Sequence, residues 1–120
     1  MAVYVDGFVI PVPKKNVAAY RRMAKAASKV WLDHGALEFR ECVGDDLKTK
    51  FGMPFSKLAK TKPNETVMFS WIVYKSRKHR DQVNAKGMAD PRIKAMGGPE
   101  DMPFDGKRMM WGGFKSMVEL

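Results

Sequence analysis

Few side chains in this sequence are suited to chemistry, and they are scattered along it. Histidine exchanges protons near neutral pH, and the chain carries His34 and His79. His79 follows an apolar run, Phe69 to Tyr74, and a capping serine, Ser76, so it should stand in the first turn of a helix. That place suits a general acid or base at the mouth of a cleft, and equally a half-exposed residue packed on its neighbours. His34 precedes Gly35, a helix stop, where a cation interacts well with the helix dipole. Asp6 sits inside the apolar run Val3 to Ile10, where a carboxylate must be paired or meet a ligand. His79 and Asp6 are therefore the candidate catalytic groups. The pattern His-x-x-x-His is missing and Cys42 is the single cysteine, so no metal site is expected. With no phosphate-binding loop or dinucleotide fingerprint, no cofactor is expected either. Cys42 reads as an inert small hydrophobe, and Trp71 and Trp111 as core anchors.

The elements that must position these groups follow from periodicity. Residues 2–10 alternate as a strand ending at Pro11, with Val3, Val5 and Val9 on one side and Tyr4, Asp6, Phe8 and Ile10 on the other. Residues 14–34 carry Val17, Tyr20, Ala24, Ala27 and Trp31 at helical spacing. Residues 36–44 alternate again, with Leu37, Phe39, Glu41 and Val43 sharing a face. Residues 45–64 form a basic loop with room for a helical turn at 56–60. Residues 66–75 are a strand apolar on both faces, 77–89 a helix capped by Ser76, and Asp90-Pro91 a stop and restart. A last strand spans 106–118, where Gly112-Gly113 suggests a bulge or a close backbone approach.

The order β-α-β-β-α-β is the ferredoxin-like α+β topology, a four-stranded antiparallel sheet with two helices on one face. The chain of 120 residues is expected to be one such domain, 1–120. Its hydrophobic content of 45% and charged content of 29% are those of a globular protein. The lone cysteine, an N-terminus without signal-peptide character and the want of a long apolar run point to a cytoplasmic protein without a membrane span.

Polarity suggests that the valines of the first strand, Leu37, Phe39 and the set Val67, Phe69, Trp71 and Val73 meet the helices. The mixed set, including Glu38, Arg40, Met68 and Met110, would then face outward. Both faces of the third strand are too apolar for water, so the outward face should be covered by a second copy, as a homodimer. Asp6 or Glu38 would pair with Arg40 or Arg108, as a structural ion pair or as part of a ligand site. Polar groups set in apolar strand faces mark a small-molecule pocket lined by Tyr4, Asp6, Ser70, Tyr74, His79 and Arg108.

The stretches Ser70–Asp81, Met88–Arg92 and Met102–Met109, with Gly112-Gly-Phe114, Tyr4–Phe8 and His34–Glu38, resemble the YbaA-like family of bacterial proteins of unknown function. The resemblance covers nearly the whole chain and implies the dimeric α/β-barrel architecture; it brings no catalytic residues. Whether the protein is an enzyme is left open by it. The net charge of +9 supports an alternative, binding of RNA or another anionic partner through basic outer helices. No run of five or more like charges occurs, so nucleic acid is the less favoured partner.

Overall fold

The computed structural model describes residues 2–120. Strand β1 (Tyr4–Pro13) leads through a 3-10 turn at Lys14–Asn16 into helix α1 (Val17–Asp33). Strand β2 (Glu38–Val43), a short helix α2 (Phe55–Leu58) and strand β3 (Glu65–Tyr74) follow. Helices α3 (Arg77–Ala89) and α4 (Pro91–Lys94) then precede strand β4 (Met110–Lys115). The sheet is antiparallel with order β2-β3-β1-β4, the ferredoxin-like arrangement.

The local signals act as their chemistry requires. The Ser76 hydroxyl accepts from the His79 backbone N–H at 3.1 Å, and Asp90 accepts from Arg92 N–H at 2.8 Å, capping α3 and α4. Gly35 ends α1 at φ 112°, a conformation that disfavours other residues. The first strand outruns its expected stop, taking in Pro11 and Pro13. Lys14 N–H donates to Asn64 C=O on the β3 side, so alternation turns the ring nitrogens of Pro11 and Pro13 the other way. The register with β4 ends at Val9, so no strand needs those missing donors. The last strand is shorter than expected because residues 106–108 form a 3-10 turn capped by Asp105. Gly113 serves close approach: the Tyr4 phenol lies where its Cβ would stand.

The two sheet faces correct the polarity argument. Phe39 pairs with Ile72, Glu41 with Ser70, and Phe8 with Ser70. Alternation therefore puts Asp6, Phe8, Ile10, Met68, Ser70, Ile72 and Tyr74 beneath the helices. Phe39 keeps its expected side. Val5, Val9, Phe69, Trp71 and Val73 lie on the open face with Glu38 and Arg40. Arg108 belongs to neither face. The polar residues of the covered face are accommodated by buried partners, so polarity alone misjudged the side. Trp71 and Trp111 are not core anchors; Trp111 is 56% exposed.

The core joins Ile10, Val12, Tyr20, Ala24 and Met68 in one cluster and Ala36, Ile72, Tyr74 and Val83 in another. Trp31 bridges α1 to α3, its indole N–H donating to Asn84 Oδ1 at 2.9 Å while its ring lies on Gly87. A Cβ at Gly87 would stand 2.9 Å from that ring. Helix propensity alone would make Gly87→Ala stabilising by about 1 kcal/mol. Overpacking against Trp31 reverses the sign, and a net loss of about 1–2 kcal/mol is expected in urea denaturation.

Candidate functional site

Two polar clusters lie under the helices. The first is at the end of the sheet where Tyr4 pairs with Tyr74. Asp6, 1% exposed, faces the Arg80 guanidinium of α3 at 3.3 Å. Arg80 also stacks over the Tyr4 ring, 5.1 Å from its centroid, and approaches exposed Asp81 at 3.0 Å. Asn84, one turn further along α3, accepts from both the Tyr74 hydroxyl and Trp31, and its amide reaches Asp6. The Asp6 contact is ionic rather than a well-aligned hydrogen bond, since Asp6 Oδ1 and Arg80 Nε have no hydrogen-bond partner. Burial pushes the Asp6 carboxyl above its usual range, partly offset by Arg80. Burial likewise raises the Tyr74 phenol, and Asp6 adds to it.

His79 borders this cluster, edge-on to Tyr74 at 6.1 Å. Its Nδ1 accepts from Lys75 N–H at 3.0 Å, which assigns the proton to Nε2 and leaves the ring neutral. Burial, then Lys75 and Lys86, hold its pKa below the ordinary value. His34 is separate, 2.8 Å from Asp90, which also binds Arg92; this network ties the end of α1 to α4. Among the described residues, no group of three or more His, Cys, Asp or Glu side chains converges.

The second cluster is built from adjacent strands and α1. The Tyr20 hydroxyl donates to Glu41 Oε1 at 2.8 Å, and Ser70 hydrogen-bonds the same carboxyl. Burial raises the Glu41 pKa, opposed by these hydrogen bonds. The Tyr20 phenol is pushed far up by burial and by Glu41. Glu41, Tyr20 and Ser70 are the polar side chains of a cavity of about 530 Å³ between the sheet, α1, α4 and residues 97–109. Its other walls are apolar and rich in methionine, among them Met23, Met88, Met96, Met102 and Met109. An apolar chamber with a few convergent polar groups, one of them a carboxyl with a raised pKa, has the anatomy of a small-molecule site.

Of the residues expected in a pocket, Tyr4, Asp6, Tyr74 and His79 come together around Arg80. Ser70 lies in the chamber with Glu41. Arg108 is at the opposite end, donating to Glu65 at 2.6 Å and to the Lys60 carbonyl at 3.0 Å. The expected partners of Asp6, Arg40 and Arg108, give way to Arg80, while Arg40 approaches Glu38 at 3.5 Å on the open face. Glu41, Tyr20 and Arg80 were not among the expected site residues. Glu41 carried a signal: it alternates with Phe39 and Val43 on an apolar strand face, as Asp6 does in β1.

The family model for "Protein of unknown function (DUF1428)" matches residues 3–106. The chain belongs to the DUF1428 family. Within reach of this family is the uncharacterized protein YbaA of Escherichia coli (strain K12), 47% identical over 116 residues, covering 97% of each chain. The YbaA of Shigella flexneri matches equally, at 47% over 97% of each chain. Among solved structures, a "Putative antibiotic biosynthesis monooxygenase" from Nitrosomonas europaea superposes with a TM-score of 0.59. That match covers 96% of this chain and 90% of the other, at 13% identity, and so speaks for the fold alone. The DUF1428 chain thus shares the ferredoxin-like sheet and helices of that protein. No helix among the described residues is long and apolar enough to cross a membrane.

Proposed function

We propose that this DUF1428 protein is a homodimer that binds an apolar small molecule in the chamber between sheet and helices, with Glu41 as its proton-exchanging group. The observation that carries the reading is the Tyr20–Glu41–Ser70 cluster set in an otherwise apolar, methionine-lined cavity. A volume of about 530 Å³ suits a compact ring system or a short chain. Methionine walls adapt to the guest, and the cluster orients one polar group on it. A carboxyl with a raised pKa in an apolar site can take a proton from a bound O–H or acidic C–H and return it, which is the chemistry available here. The Nitrosomonas protein, named as a monooxygenase of antibiotic biosynthesis, is compatible with a small organic guest in this fold.

Dimerisation is supported by the open face of the sheet. Phe69 is 43% exposed and Phe114 63%, beside Val5, Val9 and Trp71, an apolar surface on the side of the sheet that the helices leave open. A second copy would remove these side chains from water, each worth about 1.5–3 kcal/mol when buried.

Native mass spectrometry of protein taken directly from cells tests both parts. A dimer carrying a defined small-molecule adduct is expected. Ala27→Phe, which fills the chamber from α1, should lose the adduct and keep the dimer. An empty wild-type dimer would count against the ligand, and a monomer against the assembly.

A further inference from the structure

Glu41 stands between two cavities. Besides the methionine-lined chamber, a second hollow of about 520 Å³ lies between α1 and β2. The two share Tyr20, Ala24, Phe39 and Glu41 in their walls, so the hydrogen-bonded Tyr20–Glu41 pair stands between them. The outer hollow differs in chemistry. Its floor is apolar, including Val17 and Met68, while Arg21 and Lys25 stand at its rim from successive turns of α1. Both cations are exposed, and neither forms an ion pair among the described residues. From Val17 to Leu32 the helix has no acidic residue to neutralise them.

We infer that the outer hollow is the mouth of the chamber and selects organic anions, an apolar body bearing a carboxylate, sulfonate or phosphate that Arg21 and Lys25 hold. The inference rests on the small-molecule reading of the chamber and adds the charge class of its guest. The apolar floor takes the body of such a molecule, and the rim cations take its charged end. A macromolecular polyanion is less well matched, because the charge surrounds a concave apolar hollow rather than a flat surface.

The test compares anilinonaphthalene sulfonate with its uncharged parent, N-phenylnaphthylamine, by fluorescence titration of the full chain. The two share an apolar body and differ in the sulfonate. Wild type should bind the anion about five- to tenfold more tightly than the neutral probe, as two partly screened ion pairs would supply. Arg21→Glu with Lys25→Glu should erase that preference and leave the neutral probe unchanged. Arg22→Glu with Lys29→Glu makes the same charge change on the same helix, but these residues line only the groove toward α4, which Lys25 borders as well, and not the outer hollow. That variant should keep the preference to within about twofold, since a diffuse field is screened over roughly 8–10 Å. Equal affinities in wild type, or equal loss of preference in both variants, would overturn the inference while leaving the chamber standing. If neither probe binds, or if Ala27→Phe leaves neutral-probe binding untouched, the chamber reading fails too.

Discussion

Replacing Arg80 with methionine is expected to destabilise the protein by about 3–5 kcal/mol, the range for removing one partner of a buried ion pair. The methionine fills much of the space of the arginine stem, so the loss is electrostatic rather than a cavity effect. Asp6, 1% exposed, would keep only its contact with Asn84. The thermal midpoint should fall by roughly 10–20 °C for a domain of this size. Asp6→Leu alone should cost less, because Arg80 retains exposed Asp81 at 3.0 Å and the Tyr4 ring. The double variant should recover most of the Arg80→Met loss, since the pair lacks good hydrogen-bond geometry and an apolar replacement desolvates no charge. The pH dependence gives a separate readout. Asp6 has a folded-state pKa above its ordinary value of 3.8, and losing Arg80 raises it further. The folded state then binds the proton first, so the stability of Arg80→Met should rise as pH falls through the folded-state value and level off below about 4. Chemical denaturation across that range checks it; a flat profile would mean that Asp6 is not stranded.

The contrast between the two polar clusters shows what the sequence made legible. Strand and helix order followed from periodicity and caps, because Ser76, Gly35 and Asp90-Pro91 act within a few residues of where they stand. Face assignment failed in β1 and β3 because it depends on partners distant in sequence. Asp6 looked too polar to lie beneath helices, yet α3 delivers Arg80 and Asn84 to it. The same strand reading placed Phe39 correctly, since no ion pair was needed there. Ser70 was legible as a cavity-lining position, being a small hydroxyl set in an apolar strand face. Glu41 was legible only as a face position: the hydrogen bond from Tyr20 and the cavity beside it come from packing α1 onto the sheet. Arg108, judged by strand parity, proved to sit in a 3-10 turn, where it clamps Glu65. That clamp holds the Glu65 carboxyl down at about 2, which marks a structural pair.

Glu41→Gln should separate stability from function. The amide keeps an oxygen for the Tyr20 hydroxyl and nearly the same volume, so the Tyr20 donor keeps its acceptor and no cavity opens. In wild type, burial raises the folded-state pKa of Glu41 above 4.5. The folded protein therefore binds that proton more tightly than the unfolded chain, and stability declines as pH rises through the folded-state value. Glutamine carries no such proton. The variant should match wild type near pH 4 and exceed it by about 1–2 kcal/mol near pH 8, as seen where a strained functional group is removed. Turnover of the ligand recovered from wild-type protein, if it proceeds through proton transfer at this carboxyl, should fall by about 10²–10⁴. Affinity for a neutral apolar probe should stay within about twofold, because the methionine walls that hold its body are untouched. A variant less stable at high pH would make Glu41 a structural anchor of α1 and remove the ground for assigning it chemistry. A variant more stable but fully active would keep the chamber as a binding site and move the proton transfer elsewhere, with Tyr20 and Ser70 as the remaining polar groups in contact with the guest.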